Sequence, residues 1–170
     1  MKFAKPLKFA LAALALGITG LAQADNYPSR AVTLIVPFPP GGAADTVGRY
    51  YAEQLSLSLG QPVVVDNKPG AGTAIAAEAV AKAKPDGYTL SLATAGQLAI
   101  LPNLQKDLRY DWKNDFVPLA VVASVPNVVA VQAGSKIDSL KGLIAEAKAH
   151  PGALSYSSCG NGTLCHLSGE

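Results

Sequence analysis

Thr33-Leu34-Ile35-Val36-Pro37-Phe38-Pro39-Pro40-Gly41-Gly42-Ala43-Ala44-Asp45 is the stretch on which the reading of this chain turns. Four residues of strand character run into three prolines and two glycines, and a helical pattern begins near Ala44. The prolines stiffen the exit from the strand, and the glycines let a ligand approach bare backbone. The first amides of the following helix have no partner within it and its dipole end is positive, so the turn suits an anion. Read more plainly, the same residues form a Pro/Gly turn joining strand to helix. Asp45 fits that plainer role, accepting from free amides in the first helical turn and favouring the dipole. Its other role would be contact with a ligand amine or a bridging water, since a carboxylate repels an acid.

Outward from this turn, strand-like runs recur at Thr33–Val36, Pro62–Asp66, Thr89–Ala93, Val117–Ala123 and Val128–Gln132, with a shorter one at Leu154–Ser157. Helical patterns lie between many of them. Val47, Tyr51, Leu55 and Leu59 are four apart, and Leu140, Leu143, Ile144 and Ala147 form an i, i+3, i+4, i+7 stripe. A helix over residues 73–83 has six alanines and can lie close against a sheet. Alternating strands and helices predict a largely parallel, layered α/β sheet.

Residues 1–24 read as a secretory signal. Lys2, Lys5 and Lys8 form a basic start, Phe9 to Leu21 an apolar core of 13 residues, and Ala22-Gln23-Ala24 a small-residue cleavage site. That core is shorter than the ~20 residues a bilayer span needs. Cleavage after Ala24 would leave 11 basic against 12 acidic residues, so the mature chain carries no basic balance that argues for nucleic acid.

Catalytic signatures are weak. Gly70-Ala71-Gly72 follows a strand, but Ile75 stands where the dinucleotide fingerprint needs glycine. No phosphate loop and no Gly-x-Ser-x-Gly elbow occurs. Two histidines with no carboxylate at ligand spacing argue against zinc. Cys165 and His166 are adjacent and lack an orienting third group, so a nucleophile–base pair is disfavoured. His166 reads as a packing residue, His150 before Pro151-Gly152 as a helix end, and Tyr88 and Trp112 as packing rings.

Six segments in order carry a specific resemblance. They are Tyr27-Pro28-Ser29-Arg30; Val36 to Gly42 with Asp45; Gly60-Gln61-Pro62-Val63-Val64-Val65-Asp66-Asn67-Lys68-Pro69-Gly70-Ala71-Gly72; Lys84-Pro85-Asp86-Gly87-Tyr88-Thr89-Leu90; Ser124-Val125-Pro126-Asn127; and Tyr156 to Glu170. Together they resemble the N-terminal half of the tripartite tricarboxylate transporter substrate-binding proteins, the Bug-type periplasmic receptors. The resemblance implies an α/β, periplasmic-binding-protein-like two-lobe fold of type II, closing around a small organic acid. Residues 25–124 would form the first lobe, 125–127 a crossing segment, and 128–170 an incomplete second lobe. The 43 residues from 128 to 170 fall below the ~50 of an ordinary domain, so the chain itself also reads as truncated.

Carried over by position, the ligand cleft draws on three loops. The first is Pro40, Gly41, Gly42 and Ala43 with Asp45; the second is Thr94, Ala95, Gly96 and Gln97; the third, from the opposite lobe, is Gly160, Asn161, Gly162 and Thr163. Each follows a strand's carboxyl end, where open α/β sheets place ligands. Amides of Gly41 to Ala43 would take a carboxylate, Thr94 and Thr163 offer hydroxyls, and Asn161 an amide. Ala43 stands where relatives often carry serine, which leaves side-chain contact there in doubt.

The expected function is capture of a small carboxylate and delivery to integral-membrane transporter subunits. The receptor would be periplasmic and monomeric, would not be an enzyme, and would use no cofactor and no metal. An extracytoplasmic sensing module, or an inactive truncated product, are the alternatives. Cys159 and Cys165 sit in a compartment that permits a bridge around Gly160-Asn161-Gly162-Thr163. The expected strand-turn-helix geometry tells against it, because it would hold the Cα atoms beyond the ~7 Å limit.

Overall fold

The computed structural model describes residues 26–170. The signal segment and its cleavage point after Ala24 lie outside the described residues.

β1 (Val32–Val36) is almost wholly buried and forms the centre of a three-stranded parallel sheet in the order β2-β1-β3. β2 (Val63–Asn67) pairs with it from Val32↔Val63 to Val36↔Asn67, and β3 (Thr89–Ser91) from Thr33↔Thr89 to Ile35↔Ser91. A centre strand covered on both faces reads as an unbroken apolar run, which is why Val-Thr-Leu-Ile-Val lacks alternation.

α1 (Ala43–Leu59) covers one face of the sheet. Ala52 joins Val32, Leu34, Val36 and Val63 in one core cluster, with Leu55, Leu59 and Leu90 packed around it. The helix stops at Gly60, in the left-handed region, whose amide returns to Ser56 O at 3.0 Å. The Ser56 hydroxyl accepts from Val63 N at 2.8 Å, which fixes where β2 begins.

After β2, a 3-10 turn (Ala71–Thr73) leads into α2 (Ala74–Ala81). Its alanines form a second cluster, in which Ala74 and Ala77 pack with Leu101 and Tyr110. After β3, a π-helical turn (Gly96–Ile100) runs straight into α3 (Leu101–Leu104). The start of the described chain docks on the β3 approach. Tyr27 OH donates to Gly87 O at 2.7 Å, Arg30 pairs with Asp86 at 3.1 Å, and its guanidinium lies 3.9 Å over the Tyr88 ring.

The runs Val117–Ala123, Val128–Gln132 and Leu154–Ser157, expected as strands, pair with nothing. They are exposed; Tyr51 OH donates to Val122 O at 2.7 Å in the first, Gln132 O accepts from Ser135 N at 3.0 Å at the end of the second, and Asn127 Nδ2 between them donates to Ser168 Oγ at 3.1 Å. An apolar pattern encodes a face, whereas a strand needs a neighbouring strand for its amides and carbonyls. No described residue supplies one here. Local signals did suffice for α4 (Leu140–Ala149), capped by the Ser139 hydroxyl on Gly142 N and ending at His150. They sufficed again for α5 (Leu164–Gly169), capped by Thr163.

Candidate ligand-binding site

Parallel order places the loops after β1, β2 and β3 side by side at one edge of the sheet. In the β1 loop, Gly41 takes φ +89°, a conformation closed to most side chains, and its amide donates to Asp45 Oδ2 at 2.9 Å. Asp45 is only 4% exposed. Arg49 Nε also donates to Oδ2 at 2.9 Å, and Asn67 Nδ2 to Oδ1 at 2.9 Å. Asn67 Nδ2 reaches Phe38 O as well, at 2.9 Å, tying the end of β2 to the same loop. The Arg49 hydrogen bond, then those from Gly41 and Asn67, hold the Asp45 carboxyl well below the usual aspartate range.

This network gives Asp45 the plainer of its two expected roles and changes the role expected of the Gly41 amide. Asp45 is saturated by the chain's own donors, and the Gly41 amide is committed to it. What stays open is the next step of the turn. Gly42 is the N-cap of α1 with no side-chain cap, and the first backbone bond of the helix is Thr46 N to Gly42 O at 2.9 Å. The amides of Ala43 and Ala44 therefore begin the helix without acceptors in it, and Arg49 balances the charge of Asp45. A Cβ added at Gly42 would come no nearer than 4.0 Å to another group, the Pro39 carbonyl, so the approach to this backbone is clear.

The β3 loop is organised by Gln97, which is 2% exposed. Its Oε1 accepts from Thr94 N at 3.1 Å and its Nε2 donates to Thr73 O at 3.1 Å. Tyr110 OH donates to its carbonyl at 2.8 Å, and burial, then Glu78, raises the tyrosine pKa. Gln97 thus ties the β3 loop to the β2 loop with both ends of its amide. Gln97 lies in the π-turn Gly96–Ile100, a wider turn of a kind frequent at functional sites. Ala95 stays exposed at the rim.

The turn from Gly160 to Thr163 lies over this junction. Thr163 is 4% exposed, and its hydroxyl donates to Gly160 O at 2.6 Å while accepting from His166 N at 3.3 Å. Gly72, at φ +60°, sits against the Asn161 carbonyl so closely that no side chain would fit. Gly162 rests on Leu101, and Asn161 is exposed. A disulfide joins Cys159 to Cys165 around this turn with Cα atoms 6.0 Å apart. The expectation against a bridge fails because no strand precedes Cys159, and the helix starts at once after a tight turn.

Thr94, Gly96, Gln97, Gly162 and Thr163 are therefore gathered into one junction, while Pro40, Gly41, Gly42 and Ala43 stand exposed on the adjoining loop. Thr73 belongs to the same junction and escaped the sequence reading. The signal was available, since Thr73 ends the loop after β2 as Thr94 follows β3, at the carboxyl edge where such sheets place ligands.

Residues 47–170 match the family described as the tripartite tricarboxylate transporter family receptor. The BugT protein of Bordetella pertussis is 43% identical over 152 residues, 89% of this chain and 47% of BugT. A solved periplasmic transporter, 47% identical, superposes with a TM-score of 0.79 over 84% of this chain and 48% of its own. An R. palustris protein solved with adipate, 39% identical, gives the same TM-score of 0.79 and the same coverage of 84% and 48%. The chain spans about half the length of the curated relatives it matches. Its fold is that of periplasmic solute-binding proteins, and the chain belongs to the tripartite tricarboxylate transporter receptor family.

Proposed function

We propose that this chain is the ligand-capturing part of an extracytoplasmic receptor for a small organic carboxylate. One ligand carboxylate is held over Gly42 and Ala43, with Thr94 beside it and Asn161 at the rim. The observation that carries this reading is the uncapped start of α1 at Gly42, at the carboxyl end of the central strand and open to approach. The adipate found in an R. palustris relative supports the ligand class. Asp45 and Gln97 shape the loops rather than touch the ligand.

The receptor is exported, cleaved after Ala24, and hands its ligand to integral-membrane subunits without chemistry of its own. No described helix is long and apolar enough to cross a membrane. Titration calorimetry with mono-, di- and tricarboxylates tests the binding step. Saturable, stoichiometric binding without product is expected, weakened roughly tenfold to a hundredfold in Gly42→Val by loss of a charge-assisted hydrogen bond. Unchanged affinity in a folded Gly42→Val would reduce the motif to a turn.

A further inference from the structure

The loops at the carboxyl edge of the sheet are almost free of charge. Residues 37–48, 69–77, 92–105 and 157–165 contain no lysine, arginine or histidine, and Asp45 is their only acid. A site for acids made of these segments alone would hold one negative charge and no positive one. That charge is close, since Asp45 Oδ2 accepts from Gly41 N at 2.9 Å, beside the turn whose next amides stay open. The carboxyl keeps its charge near neutral pH, held low by Arg49, Gly41 and Asn67, and at 4% exposure water screens it little.

The compensating cation comes from the second turn of α1. Arg49 Nε donates to Asp45 Oδ2 at 2.9 Å, and its Nη2 donates to Asn67 Oδ1 at 3.2 Å. Asn67 Nδ2 returns to Asp45 Oδ1 and to Phe38 O, each at 2.9 Å, so the guanidinium is fastened at two points against the acid. Lys68, the neighbouring cation after β2, is engaged with Asp66 at 2.9 Å. A helix pair that served only α1 would need neither the burial of its acid nor a tie to another strand.

We propose that Arg49 decides the charge of the ligand this site accepts, by cancelling Asp45 so that only the positive end of α1 acts at Gly42 and Ala43. Arg49 is a positioning residue in this sense: it works through Asp45 and touches no ligand. The assignment rests on the carboxylate reading above. With Arg49 removed, the loops regain a net negative charge beside the open amides, and like charges in a poorly screened turn repel. Removing both charges leaves the helix end to act alone.

Calorimetry with adipate, succinate and citrate on the purified chain tests this, with a thermal melt of each variant alongside. Arg49→Gln is expected to bind about tenfold more weakly than the parent. Arg49→Lys keeps the charge but not the fork to Asn67, and is expected to bind within about threefold of the parent while melting lower. The double variant Asp45→Asn, Arg49→Gln should recover affinity to within about threefold of the parent, although it has lost more bonds. A purely structural Arg49 predicts the reverse, with the double variant binding no better than Arg49→Gln. That result, or unchanged affinity in Arg49→Gln, overturns the role of Arg49 alone. If Arg49→Gln does not fold, Asp45→Asn decides: it leaves Arg49 unopposed, so tighter binding than in the parent is expected, and equal or weaker binding overturns the assignment. Failure of all three acids to bind the parent defeats the carboxylate reading and this assignment with it.

Discussion

The Gly41 amide donates to Asp45 Oδ2 at 2.9 Å, so the acid in the loop motif closes the turn on itself instead of facing a ligand. The same oxygen receives Arg49, and Asn67 completes the carboxylate from β2. The negative charge of Asp45 is thereby neutralised by Arg49 and put to structural use. The turn is held in one conformation, which leaves Gly42 and Ala43 to present their backbone.

Asp45→Asn should accordingly lower stability near neutral pH and flatten its dependence on acid. The Asp45 carboxyl is depressed from its ordinary value of 3.8. Over the interval between folded and unfolded values the unfolded chain binds more protons, so stability rises with pH there. The contribution is complete above about pH 4–5 and is lost as pH falls through 3.8 and onward to the lowered folded value. Asp111, held low by Lys113 and Asn114, keeps part of the acid limb in both proteins. Urea midpoints measured from pH 3 to 7 check this, and parallel curves for parent and variant would contradict it.

Gln97→Leu should uncouple the second and third strand loops. The substitution keeps approximate volume but strands Thr94 N and Thr73 O, for which burial without a partner costs about 1–3 kcal/mol each. A drop in the urea midpoint is expected, together with faster amide exchange at Thr94. A stability within experimental error of the parent would show that the amide bridges are dispensable.

How far the sequence carried this picture depends on whether each feature is local. β1, β2 and β3 were legible because apolar runs bounded by Pro and Gly encode them, and α1 and α4 because their stripes repeat at helical spacing. The loops at the strands' carboxyl ends followed from the parallel order. Val117–Ala123 failed because pairing is a relation between two segments, and the pattern describes only one. Gln97 entered the expected cleft only with its loop, through the family resemblance; its burial depends on contacts with Tyr110 and Thr73, which are distant in sequence. Thr73 was passed over although its place at the end of the loop after β2 was legible; only its left-handed backbone, at φ +85°, could not be read from residue types.

Removing the Cys159–Cys165 bridge should loosen one wall of the site and leave the sheet alone. The double variant Cys159→Ser, Cys165→Ser reopens a loop of about six residues, for which the chain-entropy relation gives about 2 kcal/mol. Thr163 would still cap α5, so the helix start should survive. Hydrogen exchange should quicken at Gly162 and Thr163 while β1 amides keep their protection. Equal protection of the turn with and without the bridge would make the disulfide incidental.

The two glycines of the turn should separate folding from binding. Gly41 sits at φ +89° with nothing within 4 Å of an added Cβ, so Gly41→Val meets no clash and suffers only backbone strain, about 1–2 kcal/mol. Gly42 lies at φ −85°, ψ 174°, an extended conformation that any residue adopts, with its nearest obstacle 4.0 Å away. Gly42→Val should thus fold almost as well as the parent while its side chain stands over the Ala43 amide. The expectation is a lowered melting temperature in Gly41→Val, and near-parent melting with weakened carboxylate binding in Gly42→Val. Paired thermal melts and calorimetry with adipate read both quantities on the same samples. If the pattern reversed, with Gly42→Val unfolding and Gly41→Val losing only affinity, the assignment of the open amides to the second glycine would be wrong.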